Sequence, residues 1–490
     1  MKKHIFLLFV FSVNFVFGNT SFNIRDFGAK GDAKAVDSPA INAAIDAASQ
    51  QGGGTVLFPA GTYLSYSIRL RSNISLQLEP GAVLLAAVPT DINGYNAAEP
   101  NASDQYQDFG HSHWHNSLIW GENLENVTIC GQGMIDGAGL HRGDGRKLKD
   151  GIGNKAIALK LCRNVILRDF RVWMGGHFVL LATGVDNLTI DNLTVDTNRD
   201  GLDIDCCRNV RVSNCSINSP WDDAIVLKAS YGMGFFRDTE NVTITNCFVS
   251  GYDKGTLLKG TYQNKEYSTV PDEEPPTGRI KLGTESSGGF KNISISNCVF
   301  QNCRGLALET VDGGALQDIV ISNITMRDIF NSPIFLRLGA RQRSPQNTPV
   351  GTLKRVTIDN VNVYNADSRF TCLISGLPSH CIEDVTISNL RIVYKGGGTA
   401  EEAKAIVPEN EKTYPEPAMF GTIPASAFYI RHARNIKLSH VDVRFLQPDF
   451  RPSIVLNDVK DARFSALTIP TYGNAKSIVL QNSEKPLISK

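Results

Sequence analysis

The sequence predicts an all-β fold: a single-stranded right-handed parallel β-helix, or solenoid, with one short capping helix near its N-terminal end. The first observation is a short phrase of β-branched residues that returns along the chain without helical periodicity between its copies. The second is its spacing, which clusters at about 22 to 26 residues and widens where insertions fall, as in the coils of a solenoid. The phrase begins at Asn126, Asn164, Asn187, Asn209, Asn241, Asn292, Asp318, Arg355, Asp384 and Asn435.

A second asparagine follows most of these phrase starts five residues later. Asparagine at one phase of every coil can form a hydrogen-bonded ladder at the bend between two sheets. Cys215, Cys247 and Cys298 each follow such an asparagine, which predicts an interior column of inert thiols. The second set of asparagines is Asn192, Asn214, Asn246, Asn297, Asn323, Asn360 and Asn389.

The chain has ten cysteines, but it is too long to need a disulfide framework. The pair predicted to form a bridge is Cys372 with Cys381.

Each coil buries its apolar face only against its neighbours, so the first coil needs a cap. Ser38 and Pro39 are typical of a helix N-cap and first turn, and residues 40–49 are predicted to form the capping helix. Two segments rich in proline, glycine and charge, residues 260–277 and 396–417, are predicted to be surface insertions between coils.

The first 18 residues have a basic start and an apolar run, which predicts a cleaved signal peptide and a secreted or periplasmic protein. Residues 19–490 are then expected to form one β-helix domain. Lysine plus arginine and aspartate plus glutamate each total 49, so the charge indicates no nucleic-acid partner. No later stretch approaches the length of a membrane span. We therefore expect no membrane insertion, and a monomer.

Several motifs follow one another in a specific order. DFGAKGD (26–32), GGGTVLFPAGTY (52–63), LRSNISLQLEPGAVL (70–84) and GQGMIDGAG (131–139) lead to NRDGLDID (198–205) and WDDAIVLK (221–228). This ordered set resembles the polygalacturonase family, glycoside hydrolase family 28, and identifies the chain as similar to a divergent bacterial-type member. The resemblance runs from about residue 24 to at least residue 324. The last two motifs resemble the Asn-Thr-Asp and Asp-Asp motifs of that family, with Arg199 in place of threonine.

The resemblance implies a right-handed parallel β-helix that hydrolyses α-linked uronate polymers such as pectin, usually with inversion. It implies that Asp222 is the general acid, and that Asp200 and Asp223 position and activate the attacking water. No glycine-rich phosphate loop lies between a strand and a helix, so no cofactor is predicted.

The repeat indicates the same site independently. Asp200 and Asp222 each lie 13 residues after a phrase start, so they are expected to occupy the same phase of successive coils, about 4.8 Å apart. Carboxylates this close cannot all ionise freely, so one should hold a proton, as a glycosidase requires. A gap of roughly 5 Å normally goes with retention; we follow the resemblance and expect inversion. The alternative is that these aspartates are solvated turn residues or a calcium site.

Two motifs of the family are replaced in this sequence. No histidine lies between His177 and His380, where relatives carry Gly-His-Gly, and LALETVDGG (306–314) replaces their Arg-Ile-Lys triplet. Ala307 and Glu309 take the basic positions, and a glutamate there would repel a substrate carboxylate unless a cation bridges them. The candidate substrate-binding residues are Asn198, Arg199, Lys228, Arg279, Lys281 and Glu309.

Arg279 and Lys281 lie one coil before Glu309, and they could pair with it or hold an anionic sugar. Trp221 could stack on a sugar or pack in the interior. His111, His113 and His115 are expected to line the cleft or to be exposed rather than to bind zinc, so no metal site is predicted.

We therefore expect a hydrolase that acts from a chain end on an α-linked polysaccharide or oligosaccharide containing galacturonic acid. The alternatives are a hydrolase of rhamnogalacturonan or another α-glycan, a polysaccharide lyase, and a non-catalytic glycan-binding β-helix.

Overall fold

The computed structural model describes residues 21–143, 146–264 and 276–489. The predicted signal peptide lies outside these residues. Within them, 35 strands form one continuous ladder, and every pairing between strands is parallel. This confirms the predicted right-handed parallel β-helix. No helix in the described part of the chain is long and apolar enough to cross a membrane.

The strands range in length from 2 to 18 residues. In the first half, β1 to β22 are Ser21–Asn23, Asp32–Val36, Gly54–Phe58, Gly61–Ser65, Ile68–Arg69, Ile74–Leu78, Ala82–Ala86, Ile119–Glu122, Glu125–Cys130, Met134–Asp136, Lys155–Lys160, Arg163–Arg168, Arg171–Trp173, Phe178–Thr183, Asp186–Asp191, Thr194–Asp196, Asp200–Asp205, Arg208–Ser213, Ser216–Asn218, Ile225–Ala229, Thr239–Thr245 and Phe248–Ser250. In the second half, β23 to β35 are Ile280–Ser286, Phe290–Cys303, Leu306–Thr310, Ala315–Ile329, Ile334–Leu338, Thr352–Ala366, Cys372–Ser375, Ile382–Tyr394, Phe428–Phe445, Ile454–Lys460, Arg463–Thr468, Ile478–Gln481 and Leu487–Ser489. Short 3₁₀ helices occupy Ile24–Phe27, Asp104–Tyr106, Phe109–His111, Glu402–Lys404 and Pro417–Phe420.

The predicted capping helix is α1, Ser38–Gln50, and it buries Ile41 and Ile45 against the first coils. Its N-cap residue is Asp37 rather than the predicted Ser38. The Asp37 carboxylate instead accepts hydrogen bonds from the backbone N–H groups of Lys30 and Gly31, so it fixes the chain that leads into the helix.

The repeated phrase forms strands whose alternate residues point into the core. In β12, β15 and β18, Val165, Leu188 and Val210 are in register, and all three are fully buried. A period of two therefore places one apolar column on each coil, and each column is buried by the coils above and below.

The asparagines at the phrase starts form a ladder on the exterior of the solenoid. The side-chain amide of Asn187 donates to the side-chain oxygen of Asn164 at 2.9 Å, and Asn209 donates to Asn187 at 3.3 Å. These asparagines adopt the left-handed conformation, with φ of +56° at all three. Asparagine tolerates this conformation better than other residues with a Cβ, which explains its recurrence.

The second predicted ladder is confirmed in part. Asn323 donates to Asn297 at 3.0 Å, and Asn360 donates to Asn323 at 2.8 Å. Elsewhere an aspartate accepts instead, as Asp169 does from Asn192 at 2.9 Å.

We expect Asn209→Ala to lower the free energy of unfolding by about 1–3 kcal/mol, because it removes the ladder hydrogen bonds and strains the left-handed backbone. Asn209→Gly should cost less, because glycine adopts positive φ freely. Denaturant titration of both variants measures the difference, and equal losses would show that backbone strain contributes nothing.

The cysteines follow the predicted interior column but form no bridge. Cys215, Cys247 and Cys298 are buried free thiols. Cys372 and Cys381 are also free, so the predicted disulfide is wrong. The side chain of Cys372 is buried, and its Sγ lies 3.6 Å from the hydroxyl of Tyr394, whereas Cys381 is partly exposed at the start of the next coil.

Two loop segments cover the two ends of one face of the solenoid. Its outward-facing side chains form a single column, here called the outward column, in which neighbours are in register from coil to coil. The members of the outward column are Trp120, Ala158, Leu181, Asp203, Val226, Lys281, Ala307, Phe335, Leu373, Tyr429 and Val455.

A loop between β7 and β8 covers the upstream part of the outward column. Its Trp114 is fully buried against Trp120, Ala158 and Leu181, and the indole N–H donates to Thr183 Oγ1 at 3.1 Å. The middle of the column, around Asp203 and Lys281, lies between this cover and a second one.

The second cover lies between β30 and β31. Phe420, Ile423 and Ala425 pack on Phe335 and Tyr429 of the outward column. The predicted surface insertion, residues 396–417, lies in the same connection, and the prediction is wrong at its end, where Pro415, Glu416 and Pro417 are buried.

Candidate active site

The three predicted catalytic aspartates lie where two coils change register. Asp196 pairs with Asn218, but Leu202 pairs with Ile225, so the later coil has one extra residue between these pairs. The backbone N–H of Gly201 accordingly donates to the carbonyl of Asp223 at 2.9 Å. Asp223, rather than the predicted Asp222, is therefore the residue in line with Asp200.

The aspartates still converge as the spacing predicted. One carboxylate oxygen from each of Asp200, Asp222 and Asp223 lies within 4.8 Å of the others. Asp200 and Asp223 are 3% and 5% exposed, whereas the side chain of Asp222 is 31% exposed. Asp222 is therefore the member of the group that solvent or a ligand can most easily reach.

Asp200 sits among negative charge. Burial, followed by the nearby carboxylates of Asp203 and Asp222, raises its pKa well above the usual value, and Lys228 and Arg199 offset this only in part. The group of three aspartates therefore retains a proton to higher pH than isolated carboxylates would.

This shift predicts a pH-dependent gain in stability for Asp200→Asn. Between the unfolded pKa of about 3.9 and the higher folded pKa, the unfolded chain releases a proton that the folded protein keeps, so stability falls as pH rises. Asparagine does not titrate, so the variant should become more stable relative to the unmodified protein as pH rises above about 4. Urea titrations at pH 4 and pH 7 measure this. Parallel pH curves for the two proteins would contradict it.

Asp223 has the opposite electrostatic environment. Burial alone would raise its pKa, but Lys281 and Arg279 together hold the pKa below its usual value. Arg279 Nε donates to Asp223 Oδ1 at 2.9 Å, and Lys281 Nζ lies 3.6 Å from Oδ2. Asp223 is therefore ionised at neutral pH, and its carboxylate is held in a fixed position.

Arg279 is itself shared between two carboxylates. Its NH1 donates to Glu416 Oε2 at 3.2 Å and its NH2 contacts the other oxygen of Glu416. Arg304 and Asn331 also donate to Glu416, each at 3.1 Å. Glu416 lies 137 residues after Arg279 and is 3% exposed, so the second cover contributes a buried anion to the site.

Lys281 and Glu309 form the predicted pair. Lys281 Nζ lies 3.4 Å from Glu309 Oε2, which also accepts a hydrogen bond from Thr284 at 3.3 Å. Burial raises the pKa of Glu309 to about 7 despite the attraction of Lys281. Both side chains lie beneath the surface, with Lys281 2% exposed and Glu309 fully buried.

Lys228 belongs to a separate buried network. Its Nζ lies 2.7 Å from Asp203 Oδ2 and 3.5 Å from Glu285 Oε2, and it contacts the ring of His111. His111 and His113 are both buried, so the prediction that these histidines are cleft-lining or exposed is wrong for the interior pair. Neither belongs to a cluster of three or more metal-ligating side chains in the part of the chain that the structure describes.

Asp222 and Asp223 line a cleft of about 560 Å³. Trp221, at its rim, is 45% exposed, so it is available to stack on a sugar. Arg199 Nε lies 3.3 Å from Asp222 Oδ2, while Asn198 is half-buried beside it. The cleft is lined by Arg142, Gly143, Arg199, Trp221, Asp222, Asp223, Thr277, Arg279, Arg304, Tyr414 and Glu416.

Of the predicted binding residues, Arg199 and Arg279 therefore line the cleft, whereas Lys228, Lys281 and Glu309 lie behind it. Sequence reasoning missed Arg142 and Glu416. Both lie in insertions without periodicity, where only their charge could have drawn attention.

Parts of this chain match two known protein families and several curated proteins. Residues 90–267 match the family described as Glycosyl hydrolases family 28, and residues 21–147 match Rhamnogalacturonase A/epimerase, pectate lyase-like. A probable polygalacturonase of Vitis vinifera is 28% identical over 325 residues, which cover 63% of this chain and 61% of that protein. An exo-poly-alpha-D-galacturonosidase of Dickeya chrysanthemi is 25% identical over 401 residues, covering 69% of this chain and 62% of that protein. The matched region thus spans about three fifths of the length of each curated relative.

A solved structure shows the same fold. The family 28 exopolygalacturonase of Yersinia enterocolitica superposes with a TM-score of 0.66 at 20% identity, covering 92% of this chain and 79% of that chain.

Proposed function

We propose that this chain hydrolyses a pectic, α-linked polysaccharide or oligosaccharide that contains galacturonic acid, and the match of residues 90–267 to the family described as Glycosyl hydrolases family 28 supports this. The observation that carries the proposal is the convergence of Asp200, Asp222 and Asp223, of which Asp222 and Asp223 line an open cleft beside an exposed tryptophan. Glycoside hydrolysis needs one carboxyl group that donates a proton and one carboxylate that activates water or attacks, and these three residues can supply both.

The environments of the three aspartates support separate roles. Asp222 is the most exposed, so it can reach the leaving oxygen and donate to it the proton that the group of three aspartates retains. Asp223 is held ionised by Arg279 and Lys281, so it removes a proton from the attacking water. Asp200, with its raised pKa, keeps a proton within the group and helps to position the water. In this scheme, water attacks the anomeric carbon opposite the leaving group and inverts its configuration.

The two covers on the outward column support attack at a chain end. Trp114 covers the coils before the cleft, and Phe420 covers those after it, so a long polymer has no continuous groove to occupy. Tyr414 and Glu416, which belong to the second cover, form one wall of the cleft. The substrate is therefore bound by its end.

Product analysis tests this function. Galacturonan should release small products of one size from the start of the reaction, and proton NMR should show the inverted anomer first. A ladder of products would contradict end attack, and a product that absorbs in the ultraviolet would identify a lyase.

Rhamnogalacturonan is the second candidate substrate. The match of residues 21–147 to Rhamnogalacturonase A/epimerase, pectate lyase-like, favours it, as does the replacement of basic residues by Ala307 and Glu309. The same assay with rhamnogalacturonan fragments separates the two candidates, because the better substrate shows the higher kcat/KM.

We also propose that residues 19–490 form one exported, monomeric domain. The unbroken strand ladder from β1 to β35 supports a single domain, and the basic and apolar start of the sequence supports export. N-terminal sequencing of the exported protein, together with its mass in solution, tests both statements.

A further inference from the structure

Among the residues that the structure describes, one arginine of the cleft is not paired with an acidic side chain. Four arginines line the cleft, and three of them contact carboxylates of the protein. The pairs are Arg199 with Asp222, Arg279 with Asp223 and Arg304 with Glu416. Arg142 forms no ion pair with any residue in the described ranges, although its side chain is exposed at the cleft. No described carboxylate is therefore paired with its positive charge in place of a ligand.

Arg142 is nevertheless held in place. Its guanidinium carbon lies 5.4 Å from the centre of the Trp221 ring, and its Nε donates to the carbonyl of Asn198 at 3.4 Å. The next residue, Gly143, is tied to the site because its carbonyl accepts a hydrogen bond from Arg199 at 2.9 Å. A side chain positioned in this way loses less conformational freedom when a ligand binds.

Arg142 lies close to the aspartate that we propose as the proton donor. Trp221, on which it stacks, directly precedes Asp222 in the chain, so a group bound by Arg142 lies beside the glycosidic oxygen that Asp222 protonates. Lys281, another cation near the aspartates, is 2% exposed and already contacts Asp223 and Glu309. A planar guanidinium matches a carboxylate through two parallel hydrogen bonds.

We propose that Arg142 binds the carboxylate of the uronic acid next to the scissile bond and thereby sets the preference of the site for an anionic sugar. This inference rests on the proposed function, and it assigns the recognition of substrate charge to the loop between β10 and β11.

Binding measurements test it without relying on turnover. Asp200→Asn is a suitable background, because it leaves the pair of Arg199 and Asp222 intact and resembles the protonated carboxyl group. In that background, Arg142→Gln should weaken binding of a galacturonate disaccharide by about 10- to 100-fold, as expected for the loss of a hydrogen-bonded charge. Binding of the matching neutral galactose disaccharide should change less than threefold, about 0.7 kcal/mol.

Two further variants sharpen the result. Lys147→Gln removes the same charge from the same loop at a residue that does not line the cleft, and it should leave both affinities unchanged. Arg142→Lys keeps the charge but not the two parallel hydrogen bonds, so it should fall between the unmodified residue and glutamine.

The outcomes separate this inference from the proposed function. Equal binding of galacturonate with and without Arg142, or an equal loss for the neutral disaccharide, would overturn the role of Arg142. Absence of galacturonate binding in the Asp200→Asn background would also overturn it. Failure of the unmodified protein to hydrolyse any pectic substrate, with Arg142-dependent binding retained, would overturn the proposed function alone.

Discussion

Asp222→Asn is expected to lower kcat by about 100- to 10,000-fold, which is the usual contribution of a general acid. Asparagine has nearly the same shape as aspartate but cannot donate a proton to the leaving oxygen. The side chain is 31% exposed, and its ion pair with Arg199 is near the surface of the cleft, so the fold should be retained. Release of reducing ends from the best pectic substrate measures the loss, and a thermal melt confirms the fold.

A matched control separates loss of the acid from a general change in charge. Asp46 lies on the capping helix and pairs with Arg71 at 2.9 Å, far along the chain from the site. Asp46→Asn should leave kcat unchanged. Full activity in Asp222→Asn would contradict the assignment of Asp222 as the general acid, and would point to Asp200 or Asp223 instead.

Arg279→Leu is expected to destabilise the protein by about 3–5 kcal/mol, because removal of one partner leaves buried charges without compensation. Here two carboxylates lose their partner at once, Asp223 at 2.9 Å and Glu416 at 3.2 Å. The pKa of Asp223 should rise, because Arg279 is one of the two cations that lower it. Urea titration measures the stability.

The acid limb of the stability curve tests the same interaction. A carboxylate whose folded pKa is lowered contributes stability above its unfolded pKa of about 3.9, and loses that contribution as pH falls through the folded pKa. The variant should therefore lose less stability than the unmodified protein when pH is lowered from 5 to 2.

Arg279→Leu combined with Glu416→Gln is the informative control. Glu416→Gln removes one of the two carboxylates that Arg279→Leu leaves without a partner. The double variant should therefore lose less free energy of unfolding than the sum of the losses of the two single variants. Strict additivity would show that the contact between Arg279 and Glu416 contributes nothing.

The repetitive part of the structure could be predicted because it follows simple periodicity. Val165, Leu188 and Val210 recur at the spacing of one coil, and the exterior ladder requires asparagine at the left-handed position. The convergence of Asp200 with the pair at 222 and 223 followed from the same spacing. The register itself was wrong by one residue, because counting from phrase starts assumes that no residue is inserted within a coil.

The remainder of the site could not be predicted from local sequence. Glu416 reaches Arg279 only because the insertion between β30 and β31 folds back across the sheet. Neither its length nor its composition specifies that path. Arg142 stands in the loop between β10 and β11, where nothing in the sequence distinguishes it from the neighbouring Arg146 and Lys147. Ion pairs between distant insertions depend on the finished tertiary structure.

The link between Glu416 and Arg279 also changes how the molecule should come apart. In an ordinary solenoid each coil interacts only with its neighbours, so the terminal coils can detach while the rest stays intact. Here, detachment of the late coils would pull Glu416 away from Arg279 and Arg304. Both buried arginines would then lose the carboxylate that they share. Unfolding should therefore approach a single cooperative transition, and proteolytic removal of the C-terminal third should inactivate a protein whose three aspartates all precede residue 224.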